Sequence, residues 1–114
     1  MPNCIFCDIA AGKIPATEVF GDEDFLAFRD IEPQAPVHIL LIPRRHIGSL
    51  ADLEAEDRDL MGGLILAATN IAAAEGLAES GYRFVINCGR QGGQAVDHLH
   101  LHILGGRQMN WPPG

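Results

Sequence analysis

Between Gln94 and Leu104 the chain reads Gln-Ala-Val-Asp-His-Leu-His-Leu-His-Ile-Leu, so that His98, His100 and His102 alternate with Leu99, Leu101 and Ile103. On an extended strand successive side chains point to opposite faces. This spacing therefore predicts three imidazoles on one face and three aliphatic groups on the other. Alternate residues lie roughly 6.6 Å apart along a strand, so two neighbouring imidazoles can reach one bound group while the third supports them from behind. A helix would scatter the three rings around its circumference. Imidazole, with an ordinary pKa near ~6.5, is largely neutral at pH 7 and suits nucleophilic attack on phosphorus. The phospho-imidazole so formed is a phosphoramidate, which protonation makes a good leaving group for water to displace. A second histidine two residues on can give a proton to a departing amine or alkoxide and later take one from water.

Other readings of the same residues are open. His-x-His on a strand is a common way to present two imidazoles to zinc. Against a catalytic metal, the nearby acidic residue is Asp97, and strand alternation turns its side chain to the opposite face. A solvated strand, or core histidines with satisfied hydrogen bonds, explains one histidine well but three beside a glycine loop poorly. That loop, Gly89-Arg-Gln-Gly-Gly93, offers backbone N–H groups without Cβ obstruction, as phosphate oxygens require.

The elements that must position these residues can be read in order. Ile5, Phe6 and Ile9 predict a short amphipathic helix ending near Gly12, with Pro15 as a stop. Thr17–Phe20 and Asp24–Arg29 predict a hairpin around Gly21-Asp22-Glu23. Two prolines make Asp30–Pro36 a loop, and His38–Ile42 predicts a buried strand closed by Pro43. A helix capped by Ser49 or Asp52 should run to about Gly76, with Leu60, Leu64, Ala67 and Ile71 as its apolar stripe. Gly62-Gly63 weakens that helix by roughly 1 kcal/mol per glycine relative to alanine, which points to close packing there. Tyr82–Asn87 and Leu99–Leu104 are the remaining strands, and residues 105–114 form an irregular tail. The expected class is α+β: an antiparallel sheet of about five strands, one long helix and a short N-terminal helix.

A length of 114 residues fits a single domain over 1–114. A net charge of −7 argues against nucleic-acid backbone binding, which needs a basic face, but not against a small phosphate ligand. No secretory signal is visible at the N-terminus, and the most apolar run, near Gly62–Ala74, is too short to span a bilayer. No membrane association is expected. Three cysteines without an export signal imply a reducing compartment, hence the cytoplasm, and no disulfide framework. Cys4-Ile-Phe-Cys7 is open to two readings: two small apolar residues in a short helix, or half of a metal site. A redox pair is disfavoured because no strand precedes it, and structural zinc would need two further ligands from elsewhere. Cys88 stands alone and reads as packing or incidental exposure.

His98-Leu-His-Leu-His-Ile-Leu104 resembles the histidine triad (HIT) motif, His-φ-His-φ-His-φ-φ. The resemblance extends to Ala27-Phe-Arg-Asp-Ile31, Pro33-Gln-Ala-Pro-Val-His38, Ile42-Pro43, Gly92-Gly-Gln94 and the ending Gly105-Gly-Arg-Gln-Met-Asn-Trp-Pro-Pro-Gly114. It points to the HIT fold and to the Hint-type branch, the purine nucleoside phosphoramidases. What it implies is hydrolysis of amine- or acyl-linked AMP or GMP through a covalent nucleotidyl-histidine. His100 would be the nucleophile, and His102 would contact the phosphate and assist the leaving amine. His98 and His38 would form a hydrogen-bonded relay behind His100. Asp30 would bind the ribose hydroxyls, and Phe6, Ile9, Ile14, Phe28 and Ile31 would form the purine slot. Asn87 and Gly93 would line the phosphate end. Similarity to a zinc-bearing subset of the family implies a structural zinc held by Cys4, Cys7, His46 and His98, with no cofactor needed for the chemistry. The resemblance also implies a homodimer, paired through the long helix and a sheet strand, with tail 105–114 and its Trp111 docking on the partner. Rival readings are a dinucleoside polyphosphate hydrolase or nucleotidyl transferase of the same fold, and a nucleotide-binding interaction module with vestigial activity. Two departures stand out. Ala95 replaces a common serine, removing a hydroxyl near the leaving group. Asp97 replaces an aromatic, and turned inward it would raise the pKa of His98.

Overall fold

Near-continuous apolar runs in the central strands, Phe25–Phe28 and Ile39–Ile42, give the sheet two buried faces. In the computed structural model, which describes residues 3–114, the strands are β1 (Glu18–Gly21), β2 (Phe25–Arg29), β3 (Val37–Pro43), β4 (Tyr82–Val85) and β5 (Leu101–Gly105). They form one sheet in the order β1-β2-β3-β5-β4, with every neighbouring pair antiparallel. Helix α2 (Arg58–Ala74) covers one face, where Ala27, Ile39, Leu41, Leu101 and Ile103 pack with Leu64, Ala68 and Ile71. Helix α1 (Ile5–Ala10) lies over the other, where Leu26, Phe28, Leu40 and Ile42 pack with Cys4 and Phe6. The odd and even residues of β3 thus enter different layers, which is why that strand reads as one continuous apolar run.

The expected α+β class and its element order are found, and the boundaries differ for physical reasons. Ser49 caps a 3₁₀ turn over Leu50–Asp52, and Glu54 and Asp57 form a capping box on a second turn over Ala55–Asp57. The α-helix proper therefore starts only at Arg58. Its buried stripe is Leu64, Ala68, Ile71 and Ala72, with Leu60 and Ala67 at the edge of the core. Of the two glycines, Gly63 makes the close approach: a Cβ there would sit 3.3 Å from the Phe25 ring, while Gly62 faces open space.

β5 begins at Leu101 rather than Leu99, so His98 and His100 lie ahead of the ladder. There the Leu99 N–H donates to the Ile47 carbonyl at 2.7 Å instead of to a strand. The carbonyl of Pro43, at the end of β3, is taken by the His98 ring. The segment that carries the chemistry is thereby held on both sides without being a strand along its whole length.

Candidate active site

A cavity of about 700 Å³ opens between α1, the loop after it and the α1-side face of the sheet. Phe6, Ile9, Ile14, Phe28 and Ile31 line it, together with Asp30, His100 and His102. Every residue expected in the apolar slot is therefore present, and Asp30 stands at the same cavity. Asn87 and Gly93 are not among the lining residues. The Asn87 side chain instead reaches the Gly93 carbonyl at 3.5 Å, within the glycine loop.

The four histidines expected at the active site are sorted by their hydrogen bonds. His100 is buried, with 5 % of its surface exposed, and its Nδ1 lies 2.7 Å from the His98 carbonyl. A carbonyl only accepts, so Nδ1 carries the proton and Nε2 keeps its lone pair. The Gln34 backbone N–H donates to His38 Nδ1 at 3.0 Å, which places the proton of a neutral His38 on Nε2. That Nε2–H is donated to His102 Nδ1 at 2.9 Å, so the proton of neutral His102 resides on its own Nε2. Register explains the reach: Leu40 is paired with His102 and His38 with Leu104, which puts the two histidines diagonally on one face of β3 and β5.

This corrects the expected relay. His38 stands behind His102, not behind His100, and the His98 imidazole belongs to neither. What His98 supplies to His100 is its backbone carbonyl. Burial pushes His102 down to about 4, with His100 and His38 adding to the effect and Asp30 opposing it. Burial also lowers His38, and the Asp30 carboxylate, 3.4 Å from His38 Nε2, works against that shift. The pair is neutral at pH 7. Asp97 is exposed, and the His98 pKa is lowered, chiefly by burial, so the raised value that an inward Asp97 would give does not arise.

The His98 ring points into a separate cluster. Its Nε2–H donates to the Pro43 carbonyl at 2.8 Å, leaving the Nδ1 lone pair for the other side. There Nδ1 lies 3.4 Å from Cys4 Sγ, 3.6 Å from Cys7 Sγ and 3.2 Å from His46 Nδ1. All four ligand atoms fall within 4.8 Å of one another. Ideal tetrahedral zinc has bonds of about 2.0–2.3 Å, which sets N–N and S–N edges at roughly 3.3 and 3.6 Å. The observed spacings match. The Cys7 N–H donates to Cys4 Sγ at 3.3 Å, supporting one sulfur from the backbone. Burial and the adjacent Cys4 push the Cys7 thiol up to about 11, so a bare cluster keeps its thiol proton, and a cation must replace it to bind. The residues fit a structural zinc. Asp30, His38 and His102 also lie close together, but the proton shared between the two rings already satisfies that group.

A family model described as the HIT domain matches residues 11–109. The chain belongs to the HIT family. Among its HIT relatives, the adenylylsulfatase HINT1 of Arabidopsis thaliana is 55 % identical over 96 % of this chain and 76 % of that protein. The 14 kDa zinc-binding protein of Brassica juncea is 54 % identical over 98 % of this chain and 100 % of that protein. The crystal structure of a HIT family hydrolase from Legionella pneumophila superposes with a TM-score of 0.97 at 56 % identity, covering 98 % of this chain and 100 % of that one. This HIT chain is accordingly a hydrolase with the HIT fold. Among its described residues, no helix is long and apolar enough to cross a membrane.

Three contributors to the HIT site were not legible in the sequence. The Gln34 amide and the Pro43 carbonyl are backbone groups and leave no side-chain signature. Gln94 stood in the family-like Gly92-Gly-Gln94, but with no role assigned to it. Its Oε1 accepts from the Gly89 N–H at 2.9 Å, while its Nε2 donates to the carbonyls of Gly48 at 2.7 Å and Val96 at 2.9 Å. One glutamine thus ties the glycine loop to the segment entering the histidines. A glutamine directly after two glycines was the available clue.

Proposed function

We propose that this chain hydrolyses purine nucleoside 5′-phosphoramidates, amine- or acyl-linked AMP or GMP, through a covalent nucleotidyl-His100. One observation carries the reading: His100 donates from Nδ1 to a backbone carbonyl at 2.7 Å, so in the neutral ring the lone pair is on Nε2, and that ring lines a nucleotide-sized cavity. The purine would lie among Phe6, Ile9, Ile14, Phe28 and Ile31, with the ribose hydroxyls on Asp30. Two vicinal donors suit a carboxylate.

Nε2 of His100 attacks phosphorus, and the His98 carbonyl stabilises the positive charge that grows on the ring. The P–N bond to the amine breaks as the N–P bond to His100 forms. The Nε2–H of His102, neutral at pH 7, is a positioned hydrogen-bond donor to the phosphoryl group and the leaving nitrogen. His38 keeps that proton on the correct atom. Water then displaces His100 from phosphorus, leaving the nucleoside monophosphate and a regenerated ring. His102 passes its Nε2 proton to the amine as the P–N bond breaks and recovers one from the water that displaces His100. Over the full cycle one water thus supplies the amine's proton and the hydroxyl on phosphorus. Zinc at Cys4, Cys7, His46 and His98 would be structural, with no direct part in these steps.

A homodimer belongs to the same proposal. β4 is an edge strand, Tyr82 on it is exposed, and α2 presents Leu66 with 68 % of its surface exposed. Trp111, 82 % exposed in the tail, would dock on the partner subunit. Intact-protein mass spectrometry after mixing with an AMP phosphoramidate tests the central claim. A nucleotidyl adduct that is absent from His100→Ala is the expected result, and turnover with no adduct on His100 would overturn it. Parallel assays with AMP-morpholidate and a diadenosine polyphosphate separate this reading from hydrolysis of polyphosphate bridges. AMP binding with no turnover on either substrate would leave a binding module.

A further inference from the structure

Building on the nucleotide reading of the cleft, we propose that Cys4, Cys7, His46 and His98 are positioning residues for that site. Zinc held by them tightens nucleotide binding, and bound nucleotide tightens the hold on zinc.

Two physical connections carry this. The first is α1. Its N-cap residue is Cys4 and its first turn holds Cys7, and between them in the chain stands Phe6. The Phe6 ring meets His100 edge-on at 5.2 Å and His98 at 6.0 Å. Ile5, Phe6 and Ile9 of the same helix line the cavity. A helix of 6 residues lies far below the length that holds itself together in water, so what anchors its ends decides where its side chains stand. Ligation of both thiols would fix the N-terminal half of this wall against His46, which follows β3, and His98. With the thiols free, Phe6, its partly buried neighbours in the apolar layer and the Arg44 bond to the Ala10 carbonyl at 3.3 Å remain to hold it, all but Phe6 acting on its C-terminal half.

The second connection is His98 itself. Its ring Nδ1 faces the cluster, and its own carbonyl receives the His100 Nδ1–H. One residue therefore touches both sites, by side chain on one side and by backbone on the other. A ligand that fixes the ring restrains the backbone that sets the tautomer and direction of His100. Thermodynamic linkage makes the effect mutual: the factor by which zinc changes nucleotide affinity equals the factor by which nucleotide changes zinc affinity.

The test uses the full chain loaded with zinc. AMP affinity is measured by calorimetry before and after the metal is stripped with a chelator. A loss of roughly 5- to 100-fold on stripping is expected, the usual span for coupled sites. Equal affinities would overturn the coupling alone. No AMP binding to the loaded protein would overturn the nucleotide reading and this inference together. A second measurement avoids the metal-free protein altogether: zinc release from the loaded protein to a chromophoric chelator is timed with and without saturating AMP. AMP should slow release in the unmodified chain and slow it clearly less in Phe6→Ala, which retains all four ligands and the His98–His100 link but loses the α1 contact. Equal slowing in both proteins would mean that AMP merely stabilises the fold, and no slowing in the unmodified chain would mean no linkage. Either result refutes the proposal.

Discussion

Replacing His38 by alanine isolates the contribution of the relay, because His38 touches the reacting group only through His102. The ring is buried, with 6 % of its surface exposed, and makes two hydrogen bonds, one from the Gln34 N–H at 3.0 Å and one to His102 Nδ1 at 2.9 Å. Removing it leaves both partners unpaired. An unsatisfied buried polar group costs about 1–3 kcal/mol, and the lost bond to His102 is the part that bears on the reaction. At about 1.4 kcal/mol per factor of ten, kcat should fall roughly 10- to 100-fold. KM should stay within a few-fold, because His38 is not among the residues that line the cavity. The variant His38→Gln retains an amide N–H donor and should recover part of the loss. Steady-state hydrolysis of an AMP phosphoramidate, with circular dichroism to verify folding, gives both parameters. A folded His38→Ala protein with unchanged kcat, or with the whole loss in KM, would refute the tautomer argument.

Three further outcomes follow from the same geometry. His100→Ala should lose turnover by at least ~10³-fold while keeping AMP affinity within a few-fold, as calorimetry on the variant would show; removing the nucleophile of an enzyme costs on that scale. His102 and His38 both sit below their ordinary pKa in the folded chain, so the unfolded chain takes up their protons first on acidification. Their contribution to stability is complete above about 6.5 and is lost as the pH falls to about 4, the position of His102. In denaturant titrations at pH 7 and pH 5 the zinc-loaded chain should lose more stability than a His102→Gln variant; identical losses would contradict the assigned shift. Leu66→Glu places a charge on the exposed face of α2, so it should leave the fold intact and convert the proposed dimer to monomer in sedimentation; a variant that sediments like the unmodified chain would refute that interface.

How much of this the sequence disclosed depended on whether a side chain or a backbone group carried the feature. The antiparallel sheet with a long helix on one face was legible from the apolar runs and turn residues, while the burial of its second face under α1 was not. The apolar slot was legible through the family resemblance, and its residues Phe6, Ile9 and Phe28 pack on the sheet face opposite α2. Of the metal cluster, the residues alone showed Cys4 and Cys7, and the family resemblance supplied His46 and His98. The relay was misread because it is decided by what each ring's second nitrogen meets. For His100 that is the carbonyl of His98, for His98 the carbonyl of Pro43, and for His38 the amide of Gln34. The start of β5 was misplaced by two residues for a related reason, since an alternating pattern continues into an extended segment whether or not a neighbour pairs with it.

Three chemically identical side chains at alternate positions acquire three roles through those partners. His98 donates from Nε2 and shows Nδ1 to the thiols; His100 donates from Nδ1 and shows Nε2 to the cavity; His102 accepts at Nδ1 and shows Nε2–H. A histidine cannot be both metal ligand and nucleophile through the same nitrogen, so the alternation works only because successive carbonyl and imidazole partners select opposite tautomers. Nitrogen-15 spectra of the imidazoles therefore test the scheme at its root. In the neutral rings His100 should appear as the Nδ1–H tautomer, and His98, His102 and His38 as Nε2–H tautomers. An Nε2–H signal on His100 would leave no lone pair facing the cavity, and the phosphorus chemistry assigned to that ring would have no nucleophile.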